Sequence, residues 1–444
     1  LAASGPSRAA WPVESDLLAG IPVRGEILTS GGKLADLATP LALGGFTRGA
    51  IERFAGQLRG LGLEPLQGAS AGGPLPAKLG DPALVEPGSM ISVQLVTGDF
   101  QVGADGTVTH IDGDRVWAFG HRFLSVGGTD LPFARASVLA LLPSVSSSFK
   151  ISAARELMGV ISSDRNAAVS GRLGQRAALV PVDIRVGASR YRMEMVRDRF
   201  LTPFLLQITL YSAIDATERI TGSGSFSLTG RIEFTGAADP VRFDTMFAAD
   251  AGAAVQAALH AAIPTAYALQ SGFPALGLKR ISIDVTPHEE KRVLQIEQVH
   301  AGRPTARPGE TVDLTVTLAG ESGSMETRRV RFNVPIGIPA GPLYFTASDA
   351  QTRNLAELRP AFSSPPRSAE RVVSALNSLG GNRRGYVRVW RADASFQVRG
   401  EEYPSPPPSL AMILTRAGAT QAAQSKLAEF EIDGGGWVIA GSKT

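Results

Sequence analysis

The chain of 444 residues contains no cysteine, an absence that removes disulfides, thiolate nucleophiles and cysteine-ligated zinc together. Histidine is scarce as well, with five residues. His110, His260, His288 and His300 stand alone, and there is no His-Glu-x-x-His, so neither a metal nor another cofactor is expected. Long apolar runs are missing: Val138-Leu-Ala-Leu-Leu142 is far short of the roughly 20 residues that span a bilayer. The first residues lack a basic-then-apolar leader pattern. Charge of one sign is missing too, because 44 Lys and Arg stand against 41 Asp and Glu. No basic run is interleaved with aromatics, and nucleic acid is not an expected partner.

What is present is a chain 44% hydrophobic and 19% charged, long enough for several globular units. Short alternating runs (Met90–Val96, Thr107–Ile111, Ala178–Val186, Tyr191–Val196, Ser225–Phe234) are divided by Gly, Asp and Asn turns. They predict a mainly β fold with some α, a β-rich barrel or sandwich rather than an alternating βαβ sheet. From Ile281 onward, alternating strands with an Arg307-Pro-Gly-Glu310 turn predict an immunoglobulin-like β-sandwich. Helices are expected after Thr47, after Thr202-Pro203, over Ala248 to Ala262 with Pro264 as its stop, and after Ser368. Pro404-Ser-Pro-Pro-Pro408 reads as a stiff linker outside any ladder. The resulting division is 1–75, an α/β piece and linker; 76–235, the main domain; 236–290, a connector; 291–350, the sandwich; and 351–444, a helix and β segment.

The stretch from Gly103 through Asp112-Gly113-Asp114 to Ala118-Phe-Gly-His121 reads as a hairpin whose turn glycine takes positive φ. His121 then sits just past a strand end. This segment resembles the peptidase domain of the SpoIVB (stage IV sporulation protein B) serine peptidase family. The likeness rests on Gly106-Thr-Val-Thr109, the Asp-bearing turn and Gly120-His121, and continues through Ser146-Ser-Ser-Phe-Lys-Ile151 and Gly159-Val-Ile-Ser-Ser-Asp164 to Gly171-Arg-Leu173. About a fifth of the chain is involved, with several short motifs in order.

The resemblance implies a serine endopeptidase acting on a protein or peptide, without cofactor, with His121 as general base. It also implies an exported protein of the periplasm or cell envelope, like the larger relatives of that family. The family's nucleophile lies in Gly-Met-Ser-Gly-Ser-Pro, which does not occur here. In the larger relatives that motif lies upstream of the histidine segment, so the chain reads as a fragment without its nucleophile. Gly320-Glu-Ser-Gly-Ser-Met325 copies the motif superficially and makes Ser322 a candidate. The alternating strands on either side make it a hairpin tip instead. Asp130 and Asp164 are the acidic candidates for orienting His121. A groove is expected beside His121, walled by Ser146–Ser148 or the Asp164-Arg165 turn. The alternative is a non-catalytic envelope scaffold on a peptidase-like fold. No feature of the chain sets an oligomeric state.

Overall fold

The computed structural model describes residues 17–18, 21, 27–29, 32–34, 38–68, 75–76, 78–142, 149–217, 224–248, 252–320, 323–361, 366, 368–398, 401–404, 406–417 and 419–444. A small hairpin of β1 (Ile27–Thr29) and β2 (Gly32–Leu34) precedes a parallel pair, β3 (Thr39–Gly44) and β4 (Leu63–Gln67), joined by α1 (Arg48–Gly60). The hydroxyl of Thr47 caps α1 by accepting from the Ala50 N–H at 3.1 Å, and Phe54 and Leu58 are buried on one face. Gly62 ends the turn at φ 78°, a value that glycine adopts without strain.

Six strands follow: β5 (Met90–Gly98), β6 (Gln101–Asp112), β7 (Arg115–Ala118), β8 (Gly127–Leu142), β9 (Phe149–Asp164) and β10 (Val169–Leu173). Their order is β5-β8-β9-β10-β7-β6, and β6 pairs with β5 again, closing a ring. Ile91, Val93, Val102, Ala104, Val116, Phe133 and Ile161 are buried in its core. The β6–β7 turn is the expected one, with Gly113 at φ 60°.

The same sheet runs on through β11 (Leu179–Val186), β12 (Ser189–Val196), β13 (Ser225–Phe234), β14 (Val241–Ala248) and β15 (Leu278–His288), in the order β14-β13-β15-β11-β12-β5. Between these strands lie α2 (Leu201–Thr217) and α3 (Ala253–Gln270). α2 is buried almost throughout, including Thr202, Gln207, Thr209 and Ser212, which explains why its sequence is apolar all round rather than striped.

Two helix ends differ from expectation. Asp198, not Thr202, caps α2: its Oδ1 accepts from the N–H groups of Phe200 and Leu201, both at 2.8 Å. Thr202 instead donates its hydroxyl to the Val196 carbonyl at 2.6 Å. α3 does not stop at Pro264 but continues to Gln270. A proline inside a helix removes one hydrogen bond and costs about 3 kcal/mol. Here Pro264 is buried together with Ala261, Ala262, Thr265 and Ala266, and that burial offsets the loss. The Thr265 hydroxyl also donates to the Ala261 carbonyl at 2.8 Å.

The second unit contains β16 (Val293–Ala301), β17 (Thr311–Gly320), β18 (Met325–Asn333), β19 (Tyr344–Ser348), α4 (Ala350–Ala361), α5 (Ala369–Asn377), β20 (Arg384–Arg391), β21 (Ser395–Val398), β22 (Glu401–Pro404), α6 (Pro408–Arg416), β23 (Thr420–Ala422), β24 (Ser425–Asp433), β25 (Val438–Ala440) and β26 (Ser442–Lys443). Two four-stranded sheets, β18-β17-β16-β25 and β24-β20-β19-β26, share a core of Leu294, Val316, Phe332, Val387, Val389, Ile432 and Ile439. The sandwich therefore extends past residue 350 and draws most of its second sheet from the tail. Pro404 does enter a ladder, opposite Ser395 at the end of the outer strand β22, where a missing N–H is tolerated.

α5 crosses back to the first unit, where Ala369, Val372, Val373 and Leu376 join the barrel-side core. Two side-chain amides then cover the edge strand β14. Asn377 accepts from the Arg242 N–H at 2.8 Å and donates to the Pro240 carbonyl at 2.9 Å. Asn382 accepts from the Met246 N–H at 2.8 Å and donates to its carbonyl. These forks occupy ladder positions that an exposed edge offers to another chain.

His260 on α3 lies between Phe243 and Phe247, with ring centroids at 5.6 and 5.9 Å. Burial pulls its pKa down from 6.5 to about 4. The unfolded chain therefore binds an extra proton between those values. The stabilisation is complete above pH 6.5 and is lost as pH falls toward 4. Between neutral pH and pH 4.5 we expect urea stability to fall by about 2 kcal/mol through this group, allowing for its partial exposure. His288 shifts in the same direction, through desolvation first and then Arg292 and Arg383. His260→Leu should flatten the pH dependence, and an unchanged acid limb in that variant would count against His260.

Candidate functional site

The segment after β7 crosses the end of the barrel and carries His121 outward. Two residues other than glycine take positive φ in it, Phe119 at 75° and Ser125 at 56°. Such backbone costs of order 1–3 kcal/mol per residue unless its surroundings impose it. They do so here. The Phe119 N–H donates to the Thr107 carbonyl at 3.0 Å, and its ring fills the space a side chain on Gly106 would need, where an added Cβ would lie 2.0 Å from Phe119 Cδ1. Phe123 and Leu124 are buried below it, with Phe119 and Phe123 edge to face at 6.1 Å. Asp164, 1% exposed, holds the segment from underneath. Its Oδ1 accepts from the Phe123 N–H at 2.9 Å and its Oδ2 from the Leu124 N–H at 2.6 Å.

His121 is exposed on this clamped turn, its ring tilted against Phe119 at 5.5 Å. Nδ1 lies 2.7 Å from the Arg122 carbonyl oxygen. A carbonyl only accepts, so in the neutral ring this contact selects the tautomer with the hydrogen on Nδ1 and the lone pair on Nε2. That tautomer can take a proton from a hydroxyl brought against it.

Neither acidic residue chosen from the sequence is bonded to this ring. Asp164 directs both oxygens to backbone amides. Asp130, exposed near the start of β8, accepts from the Ala178 N–H at 2.9 Å. Ser322 and Ser146–Ser148 lie outside the described residues. The strands flanking Ser322 are antiparallel, with Ala319 opposite Met325, and belong to the sandwich core rather than the barrel core. Hydroxyl–carboxylate pairs occur elsewhere: Ser152 donates to Asp105 and Thr47 to Asp215. Ser152 and Asp105 border a polar slot of about 30 Å³ with Ser92, Gln94 and Gly103, room for about one water. The sequence offered no signal for these pairs, since each joins residues distant along the chain.

A cavity of about 1610 Å³ lies between β14, α3 and the C-terminal α4, α5 and β20. Phe243, Leu259, His260, Arg353 and Tyr386 line it, and His121 does not. Three of its arginines are matched by acids: Arg383 pairs with Asp244, Arg384 with Glu431 and Arg353 with Glu429. Among the described residues no cluster of three or more His, Asp or Glu side chains could hold a metal ion, and no helix is long and apolar enough to cross a membrane. Comparison with protein-family models, with curated proteins and with solved structures found no match.

Proposed function

We propose that this chain supplies the histidine half of a serine endopeptidase site of the SpoIVB type, in a protein exported to the cell envelope. The observation that carries this reading is the 2.7 Å contact of His121 Nδ1 with the Arg122 carbonyl oxygen. Its Nδ1–H is held by the Arg122 carbonyl, leaving Nε2 as the proton acceptor at an exposed position on a strained and clamped turn. The carbonyl stands where a triad carboxylate ordinarily orients the ring. The nucleophilic serine comes from a segment outside these 444 residues, and the substrate is a protein or peptide. The sandwich serves to hold substrate or partner.

One observation favours a second reading, a non-catalytic scaffold: Asp164, the buried acid closest in sequence logic to a third member, is committed to the Phe123 and Leu124 amides. The two readings separate in one experiment. The complete protein should hydrolyse casein and label with a fluorophosphonate probe, whereas the 444-residue chain alone should do neither. Casein turnover by the chain alone that disappears with Ser322→Ala would overturn the proposal and make Ser322 the nucleophile. Absence of labelling and turnover in the complete protein would favour the scaffold.

A further inference from the structure

α3 has two faces. One is closed: Ala257, Ala258 and Ala261 are fully buried, and the helix packs against α2. On the other, Gln256, Leu259, His260 and Ile263 recur at i, i+3, i+4 and i+7, the spacing of a single helical stripe. That stripe borders the cavity of about 1610 Å³, together with Phe243 and Phe247 of β14 and Leu355 of α4. The two phenylalanines, Leu259, His260 and Ile263 are only partly buried there, and Leu355 is 63% exposed.

The polar groups of the wall are of two kinds. The ionic ones are committed. Besides the three arginine–acid pairs, Asp349 accepts from the Thr352 and Gly441 N–H groups at 2.7 and 2.9 Å, and Asp433 accepts from that of Gly435 at 3.0 Å. Arg242 alternates with Phe243 along β14, so its side chain leaves on the other face of the strand. The neutral groups are free. His260 touches the Phe243 and Phe247 rings, and neither its imidazole nor the Gln256 side chain has a hydrogen-bond partner among the described residues. With a pKa pulled down to about 4, the ring is neutral at pH 7 and offers one donor and one acceptor.

These features select among occupants. A charged ligand would bury its charge beside ions that already have partners, which costs more than a hydrogen bond returns. An extended peptide would need an open strand edge, and the β14 edge is taken by the Asn377 and Asn382 amides. Ordinary small-ligand pockets hold roughly 300–1,000 Å³. This one is larger and has room for a long body.

We propose that this cavity binds an uncharged molecule with a long apolar body and a hydroxyl group, the chemistry of an aliphatic alcohol. The body lies along Phe243, Phe247, Leu259, Ile263 and Leu355, and the hydroxyl bonds to His260, with Gln256 one helical turn away as a second partner. The site is separate from His121, which does not border the cavity.

The test is displacement of N-phenyl-1-naphthylamine, an uncharged dye whose fluorescence rises in apolar surroundings, from the 444-residue protein. The dye should bind, and 1-dodecanol should displace it. Dodecanoate, the same chain ending in a charge, should compete at least about 10-fold more weakly. Leu355→Ser removes an apolar contact at an exposed position and should weaken 1-dodecanol by about 10-fold at an unchanged melting temperature. His260→Leu keeps the apolar wall but not the hydrogen bond, and should weaken it by about 5-fold. No dye binding, displacement by dodecanoate as effective as by 1-dodecanol, or undiminished 1-dodecanol affinity in either folded variant overturns the proposal.

Discussion

Replacing His121 with alanine in the complete protein is expected to lower casein hydrolysis by about 10⁶-fold, the scale of losing the histidine base from a serine peptidase, with the melting temperature within a few degrees of the parent. The structural half of this expectation follows from position. His121 is exposed, and its described contacts are the Phe119 ring at 5.5 Å and the carbonyl of its own neighbour. Substituting an exposed residue of that kind changes stability by about 0.5 kcal/mol. The catalytic half follows from Nε2 being the free acceptor. A pH–rate profile adds a second readout, since the limb set by histidine deprotonation should vanish in the variant. Turnover of the complete protein that survives His121→Ala would remove this residue from the mechanism. A melting temperature that falls steeply, with specific activity of the folded fraction retained, would make the histidine structural.

Asp164→Ala is expected to cost about 3–5 kcal/mol in urea unfolding. The carboxylate is 1% exposed and accepts two backbone hydrogen bonds, and each buried donor left without a partner costs about 1–3 kcal/mol. Its removal also frees the positive-φ backbone at Phe119 and Ser125 to relax. Asp164→Asn keeps one acceptor oxygen, so about half the loss should return. Hydrogen exchange gives a local check, because the Phe123 and Leu124 amides should lose their protection before the barrel strands do. A loss below about 1 kcal/mol, with both amides still slow to exchange, would show that the clamp is not what holds the turn. His121 should then present normally in the variant, and its activity in the complete protein would be undisturbed.

The sequence foretold the character of the fold better than its connections. Alternation located β6, β7, β13, β17 and β18, and Gly113 was recognisable as the β6–β7 turn. The caps at Thr47 and Ser368 were legible because capping involves residues three apart in the chain. The cap at Asp198 was missed because Thr202-Pro203 offered an equally good local signal, and only packing of Thr202 against the Val196 carbonyl chose between them. At the candidate site, His121 was placed past a strand end correctly. The work of Asp164 was not visible, since an acid forty residues along the chain carries no mark of whether it faces an imidazole or a pair of amides.

By itself the sequence determined the strand and turn periods, the mainly β composition and the position of His121 just past a strand end, because these follow from each residue's nearest neighbours and from which side chains water excludes. Tertiary structure alone decided that β5 meets β6 to close the barrel, that the tail supplies most of the second sheet of the sandwich, that α5 returns to the first core, and that α3 runs through Pro264. Those outcomes depend on which buried surfaces find each other across distant stretches of chain. The energy gained there exceeds local preferences and leaves no period in the sequence to read.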